Sequence, residues 1–201
     1  RADIMDPLLD EASGELLATR EGPLVSEWTV RSDKAREEFA ALEAAVAGPF
    51  RIVDQTADNM RWLLLETVPN APDRYSWWNR KDRTLVPLLS TRPELAQRAL
   101  ARRLPVMIAS RDGLSLPSYL TLPTGAKLRA DGMPQAPVPL ILLVHGGPWL
   151  RDDLAFDPQH AWLADRGYAV LSVNFRASGG FGSDFMSKGD RKWSETMHND
   201  L

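Results

Sequence analysis

Two apolar runs constrain this chain more than anything else in it: "LILLV" at residues 140–144 and "YAVLSVNF" at 168–175. Between them, residues 156–166 carry a helical pattern with Trp162 and Leu163 apolar and Gly167 as its stop. Strand, helix and strand in this order form a βαβ unit, whose crossover makes the two strands parallel neighbours in a sheet. A strand without polar alternation suits a position covered on both faces, so both runs are expected inside an α/β sheet. The first run ends abruptly in His145, Gly146, Gly147 and Pro148. In open α/β sheets, ligands bind beyond the carboxyl ends of the strands. A loop almost bare of side chains there lets a substrate approach backbone N–H groups, which donate to a developing oxyanion without reorganising during the reaction.

Two glycines alone would favour a tight turn needing positive φ. With histidine before them and proline after, the loop reads instead as the His-Gly-Gly type that helps build the oxyanion hole of α/β-hydrolases. Gly147 is then the candidate oxyanion donor, with His145, Gly146 and Pro148 as loop neighbours. His145 has no nucleophile beside it in sequence and is read as a loop-shaping histidine hydrogen-bonded to backbone.

A second glycine-rich segment, "NFRASGGFGSDF" at 174–185, also follows a strand. Phosphate binding there is disfavoured. A Walker loop would end in Gly-Lys-Ser/Thr, which is absent, and the dinucleotide pattern needs a third glycine where Phe185 stands. Ser178 and Ser183 are candidate nucleophiles, but neither lies in Gly-x-Ser-x-Gly. The segment reads as a shaped loop near a site, comprising Arg176, Ser178, Gly179, Gly180 and Gly182, with Arg176 held in an ion pair. His160 and His198 lack ligand spacing with carboxylates, so no metal site is expected. No cofactor is expected either. Tryptophans 28, 62, 77, 78, 149, 162 and 193 are scattered over different segments, which points to packing and not to a carbohydrate platform.

The first part of the chain reads as β-structure with a helical insertion. Residues 4–10 and 15–20 flank the Gly-containing turn at 11–14, and 27–30 is another short strand. Residues 34–47 place Phe39, Leu42 and Val46 at helical spacing, ended by Gly48-Pro49. Strands are expected at 51–55, 61–68, 75–78 and 84–89. Four strands in this length equal one propeller blade, and also an ordinary antiparallel meander; spacing does not separate the two. Residues 90–94 look like a boundary. A short helix is expected at 94–103, strands at 106–110 and 116–122 around the turn at 111–113, an irregular loop at 123–139, and a further helix from Ser194.

The formal net charge of −3 offers no basic excess for nucleic acid or an anionic membrane surface. No apolar stretch is long enough to span a bilayer. With no cysteine, thiolate catalysis and disulfides are excluded. The chain opens on Arg without a visible signal peptide and is expected to be a piece or processed product, its compartment open.

The segments "STRPEL", "SRDGLSLPSYLTLP", "LILLVHGGPW", "WLADRGYAVLSVNFRASGGFGSDF" and "KWSETMHNDL", in this order and spacing, resemble the prolyl oligopeptidase family of serine peptidases. The closest similarity is to the acylaminoacyl-peptidase and dipeptidyl-aminopeptidase branch. It is dense from Ser90 onward; before that, "YSWWNRKDRTLVPL" looks like the last strands of the family's propeller. The resemblance implies an α/β fold class: an incomplete α/β-hydrolase sheet preceded by antiparallel β-propeller blade or blades. Residues 1–92 would close a propeller and 93–201 would begin the peptidase domain. It further implies a Ser–Asp–His triad, with Gly147 giving its N–H to the oxyanion. Related branches carry a tyrosine at the position of His145. The family's Arg-Gly-Ser-x-Gly loop stands here as Arg176 to Gly182, with Ala177 in place of the usual glycine. None of the triad residues matches a position in this chain, and they are expected beyond Leu201. Short peptides are the implied substrates. The isolated chain is expected to be inactive and to self-associate through exposed sheet edges. An esterase using the same loop, and a non-catalytic interaction module, are the alternative readings.

Overall fold

The computed structural model describes residues 2–201 and divides into two compact bodies. The first comprises residues 4–22 and 26–98, the second chiefly 99–201 together with 23–25. The sequence placed the division at 92/93.

In the first body, β1 (Ile4–Leu9), β2 (Leu16–Glu21) and β3 (Glu27–Val30) form an antiparallel sheet in chain order. The β1–β2 turn is held by Asp10, whose carboxylate accepts the N–H of Ser13 at 2.9 Å. Helix α1 (Asp33–Ala45) follows, with Ser32 as its N-cap. Its buried residues Ala35, Phe39 and Leu42 fall four and three residues apart, one face of a helix. The chain leaves helical geometry at Val46, so the helix ends just short of residue 47. Strands β4 (Phe50–Gln55), β5 (Arg61–Val68), β6 (Ala71–Asn79) and β7 (Thr84–Ser90) then make a four-stranded antiparallel meander.

Phe39 and Leu42 pack with Leu8 and Leu17 on one side and Phe50, Trp62, Leu64 and Trp78 on the other, so α1 supplies the core shared by both sheets. The indole N–H groups of the buried tryptophans are satisfied, as burial requires. Trp62 donates to Asn59 at 3.0 Å, and Trp78 donates to Glu38 at 3.1 Å. Arg80 lies 4.3 Å above the Trp62 ring and grips the same Glu38 at 2.8–2.9 Å. The default packing role thus describes Trp62 and Trp78, whereas Trp149, Trp162 and Trp193 are exposed.

The helix expected at 94–103 is absent. Only a 3-10 turn at Pro93–Leu95 forms, and it buries nothing. A segment this short is not helical in water unless it packs an apolar face.

The second body is a mixed sheet. β8 (Arg103–Ala109) pairs antiparallel with β9 (Ser115–Thr121), which pairs antiparallel with β11 (Ala169–Val173); β10 (Leu140–Leu143) pairs parallel with β11. The spatial order is β10-β11-β9-β8. Helix α2 (Pro158–Ala164) connects β10 to β11, capped by Asp157, whose carboxylate accepts the N–H groups of Gln159 and His160 at 2.7 and 3.1 Å. Short helices α3 (Ser183–Ser187) and α4 (Thr196–Asn199) complete it. β11 is buried as expected, but β10 is not: Leu140 is 57% and Leu142 37% exposed. The apolar run marks a strand made for burial. Its place at the end of the order, with β11 as its one neighbour among the described residues, leaves it uncovered.

Candidate active site

The bare loop leaves β10 at its carboxyl end and is shaped by His145. That ring stacks on Phe175, centroids 4.6 Å apart and planes 17° from parallel. Its Nδ1 lies 2.8 Å from the Gly146 carbonyl and its Nε2 2.9 Å from the Ser178 hydroxyl. With its proton on Nδ1, His145 donates to the Gly146 carbonyl. That carbonyl and the N–H of Gly147 belong to one planar, trans peptide group and point in opposite directions. Holding the one therefore aims the other.

Gly147 has φ +136°, a region that disfavours L side chains, and a Cβ there would lie 2.7 Å from the Trp149 nitrogen. Its peptide bond to Pro148 is cis. Gly146 and Gly147 are exposed while Pro148 is buried beneath them. A cleft of about 300 Å³ opens beside Gly147, lined by Pro148, Phe175, Trp193, Met197 and His198 among others.

The second glycine-rich segment packs against the first. The Gly179 N–H donates to the Leu150 carbonyl at 3.1 Å, and a Cβ on Gly179 would come within 2.6 Å of the Trp149 carbonyl oxygen. Gly180 and Gly182 both take positive φ, and Gly182 is the N-cap of α3. Ala177, where the family pattern has glycine, also takes positive φ, at 79°. Ser178 is buried and its hydroxyl lies 2.7 Å from the Phe175 carbonyl, a structural position unlike that of a nucleophile. Ser183 is exposed on the first turn of α3.

Arg176 is held by two carboxylates, not one. Asp200 accepts from Nε and Nη2 at 2.8 and 2.7 Å and from the Arg176 backbone N–H at 2.9 Å. Asp112, in the β8–β9 turn, accepts from Nη1 and Nη2, both at 2.9 Å. The guanidinium holds the Asp112 carboxyl well below the usual carboxylate range, and hydrogen bonding to Asp200 and Asp112 pushes Arg176 above its ordinary value. Sequence reasoning found Arg176 but neither partner, which lie 64 and 24 residues away. It also missed Trp193 and Met197 as cleft residues. The only available signal was the motif "KWSETMHNDL" itself.

Behind the loop, His160 is fully buried. Its Nε2 faces Arg103 at 3.4 Å and the Ser172 hydroxyl at 2.9 Å, both able to donate, so Nε2 accepts and Nδ1–H donates to Thr121 at 2.9 Å. Burial first and Arg103 second push its pKa down to about 4. Burial raises the carboxyl of neighbouring Asp152, against the opposing pull of Arg103. Among the described residues no group of three or more His, Asp or Glu is placed to hold a metal ion, and no helix is long and apolar enough to cross a membrane.

The mixed sheet, the βαβ crossover and a glycine loop at a strand's carboxyl end are consistent with the α/β-hydrolase class. Comparison with known proteins narrows this. Residues 154–201 match the model of the prolyl oligopeptidase family. The chain is 45% identical over 201 residues to dipeptidyl aminopeptidase BIII of Pseudoxanthomonas mexicana, and 34% identical over 219 aligned residues to dipeptidyl peptidase family member 6 of Caenorhabditis elegans. Each alignment covers 100% of this chain and 29% of the relative. A puromycin-hydrolysing peptidase of Mycobacterium tuberculosis shares the fold with a TM-score of 0.70 at 20% identity, over 96% of this chain and 28% of that one. The family model covers the last part of the chain, and the chain spans 29% of the length of these curated relatives.

Proposed function

We propose that this chain is part of a serine peptidase that cleaves short peptides through an acyl-enzyme, with dipeptide release favoured over acylaminoacyl release. In this reading residues 1–92 belong to a propeller and residues 93–201 begin the hydrolase domain. The Gly147 N–H receives the oxyanion of the tetrahedral intermediate. The observation that carries the reading is the Gly146–Gly147 peptide, exposed at a strand end beside a cleft and oriented by His145. The two dipeptidyl peptidases among the relatives support the choice of dipeptide over acylamino acid. The nucleophile is assigned to the parent protein outside these residues, since no serine of this chain lies in Gly-x-Ser-x-Gly.

The test is turnover of dipeptidyl and acylaminoacyl p-nitroanilides by the full-length parent and by its His145→Ala and Gly147→Ala variants. Loss of one oxyanion donor costs about 10²–10³ in kcat. A loss of that order in both variants, with dipeptidyl substrate preferred in the parent, is expected. Full kcat in Gly147→Ala would remove the oxyanion role, and inhibitor-sensitive turnover by the isolated 201-residue chain would refute the placement of the nucleophile.

A further inference from the structure

The carboxyl half of the glycine loop is anchored as closely as its start. Asn174, buried at the end of β11, binds the backbone of Asp152 in both directions: the Asp152 N–H donates to its side-chain oxygen at 2.8 Å, and its amide donates to the Asp152 carbonyl at 3.2 Å. The side chain of Asp152 turns to Arg103, the first residue of β8, whose Nη2 lies 3.3 Å from the carboxylate. Arg103 is 4% exposed. Its Nη1 lies 4.0 Å from Asp157, the N-cap of α2. One guanidinium thus sits between the end of the glycine loop and the start of the crossover helix. Its central carbon lies 5.1 Å from the centre of the Tyr119 ring, and the accepting nitrogen of His160 faces it at 3.4 Å.

This arrangement is poorly explained by stability alone. A buried ion pair is often no better than apolar residues of similar volume. Here two buried atoms, Arg103 Nε and Asp152 Oδ2, have no hydrogen-bond partner among the described residues, which adds a desolvation cost. What the pair does supply is a fixed position for Asp152, five residues after Gly147, from a rigid strand on the far side of the sheet from β10. A loop of glycines has little intrinsic shape, so its geometry is set by its anchors.

We propose that Arg103 is a positioning residue for the Gly147 loop, acting through Asp152. The proposal rests on the oxyanion reading of Gly147. It does not make Arg103 a catalytic residue, since nothing places it against a substrate. Arg103 sets how well the loop keeps its donor aimed, an effect felt in the transition state and not in ground-state binding.

The experiment is a double-mutant cycle in the full-length parent enzyme, using Arg103→Met, Asp152→Asn and the double variant, with Arg103→Lys as the conservative change. The readouts are kcat and KM for a dipeptidyl p-nitroanilide, inhibition by a dipeptidyl boronate, and the thermal midpoint. Each single change is expected to lower kcat about 10- to 100-fold with KM within about threefold, and to weaken the boronate in parallel with kcat. The double variant is expected to be no worse than the poorer single, because both act through one contact. Arg103→Lys is expected to recover part of the rate. Additive losses, an unchanged kcat, or losses confined to KM or explained by a collapsed thermal midpoint would each overturn the proposal. Gly147→Ala in the same background separates the two ideas. Activity lost there but kept in Arg103→Met sinks the Arg103 role alone, whereas activity kept in Gly147→Ala sinks the oxyanion reading on which it rests.

Discussion

Two buried titratable groups report on the second body one residue at a time. His160 carries its proton on one nitrogen only, with its pKa lowered from 6.5 to about 4. Between those values the unfolded chain binds a proton that the folded chain does not, so stability rises with pH through this window and is lost as pH falls from 6.5 toward 4. One such group contributes a slope approaching about 1.4 kcal/mol per pH unit. Chemical denaturation at stepped pH is expected to show that slope, and His160→Gln is expected to flatten it; the same slope in the variant would assign it elsewhere. Asp200 is the second case. Its side chain is 1% exposed and binds both the guanidinium and the backbone of Arg176. Asp200→Asn leaves the buried guanidinium to Asp112 alone and weakens its bonds to the buried side, for which a loss of about 1–3 kcal/mol is expected. Asp112 pairs with the same arginine from an exposed turn, so Asp112→Asn is expected to cost clearly less in the same unfolding measurement. Equal losses would mean that burial does not govern this triad.

At the scale of elements, β10 departs furthest from its sequence. Its composition is that of an interior strand, yet among the described residues it stands at the sheet edge with Leu140 and Leu142 exposed. An apolar strand with a free edge is a template for pairing with another chain. The isolated 201-residue chain is therefore expected to self-associate, and Leu142→Lys is expected to shift it toward monomer in sedimentation velocity, since a charged edge resists pairing. A chain already monomeric before the change would remove this role of β10. Helix α1 shows the opposite relation of sequence to structure. Its cap, its apolar spacing and its stop were all local, and they describe the observed helix to within two residues at its end. The helix expected at 94–103 had the composition but no face to bury, so it did not form.

For the whole molecule, the order and type of most elements were legible because each depends on a window of residues. Short strand candidates set off by turn segments marked the antiparallel strands. The pair of apolar runs around a helical pattern marked the parallel pair of β10 and β11. The candidate site was legible to the same extent: the bare loop, its histidine and the glycine-rich partner segment all announce themselves as short motifs. Tertiary structure decided what those motifs meet. Arg176 finds Asp112 across 64 residues, His145 finds Ser178 across 33, and Arg103 finds Asp152 across 49. No window of sequence contains both members of any of these pairs. Which charges meet, which apolar strand is left at the edge, and which carbonyl aims the Gly147 N–H follow from the spatial order of strands. That order joins strands far apart in the chain, beyond the reach of any local pattern.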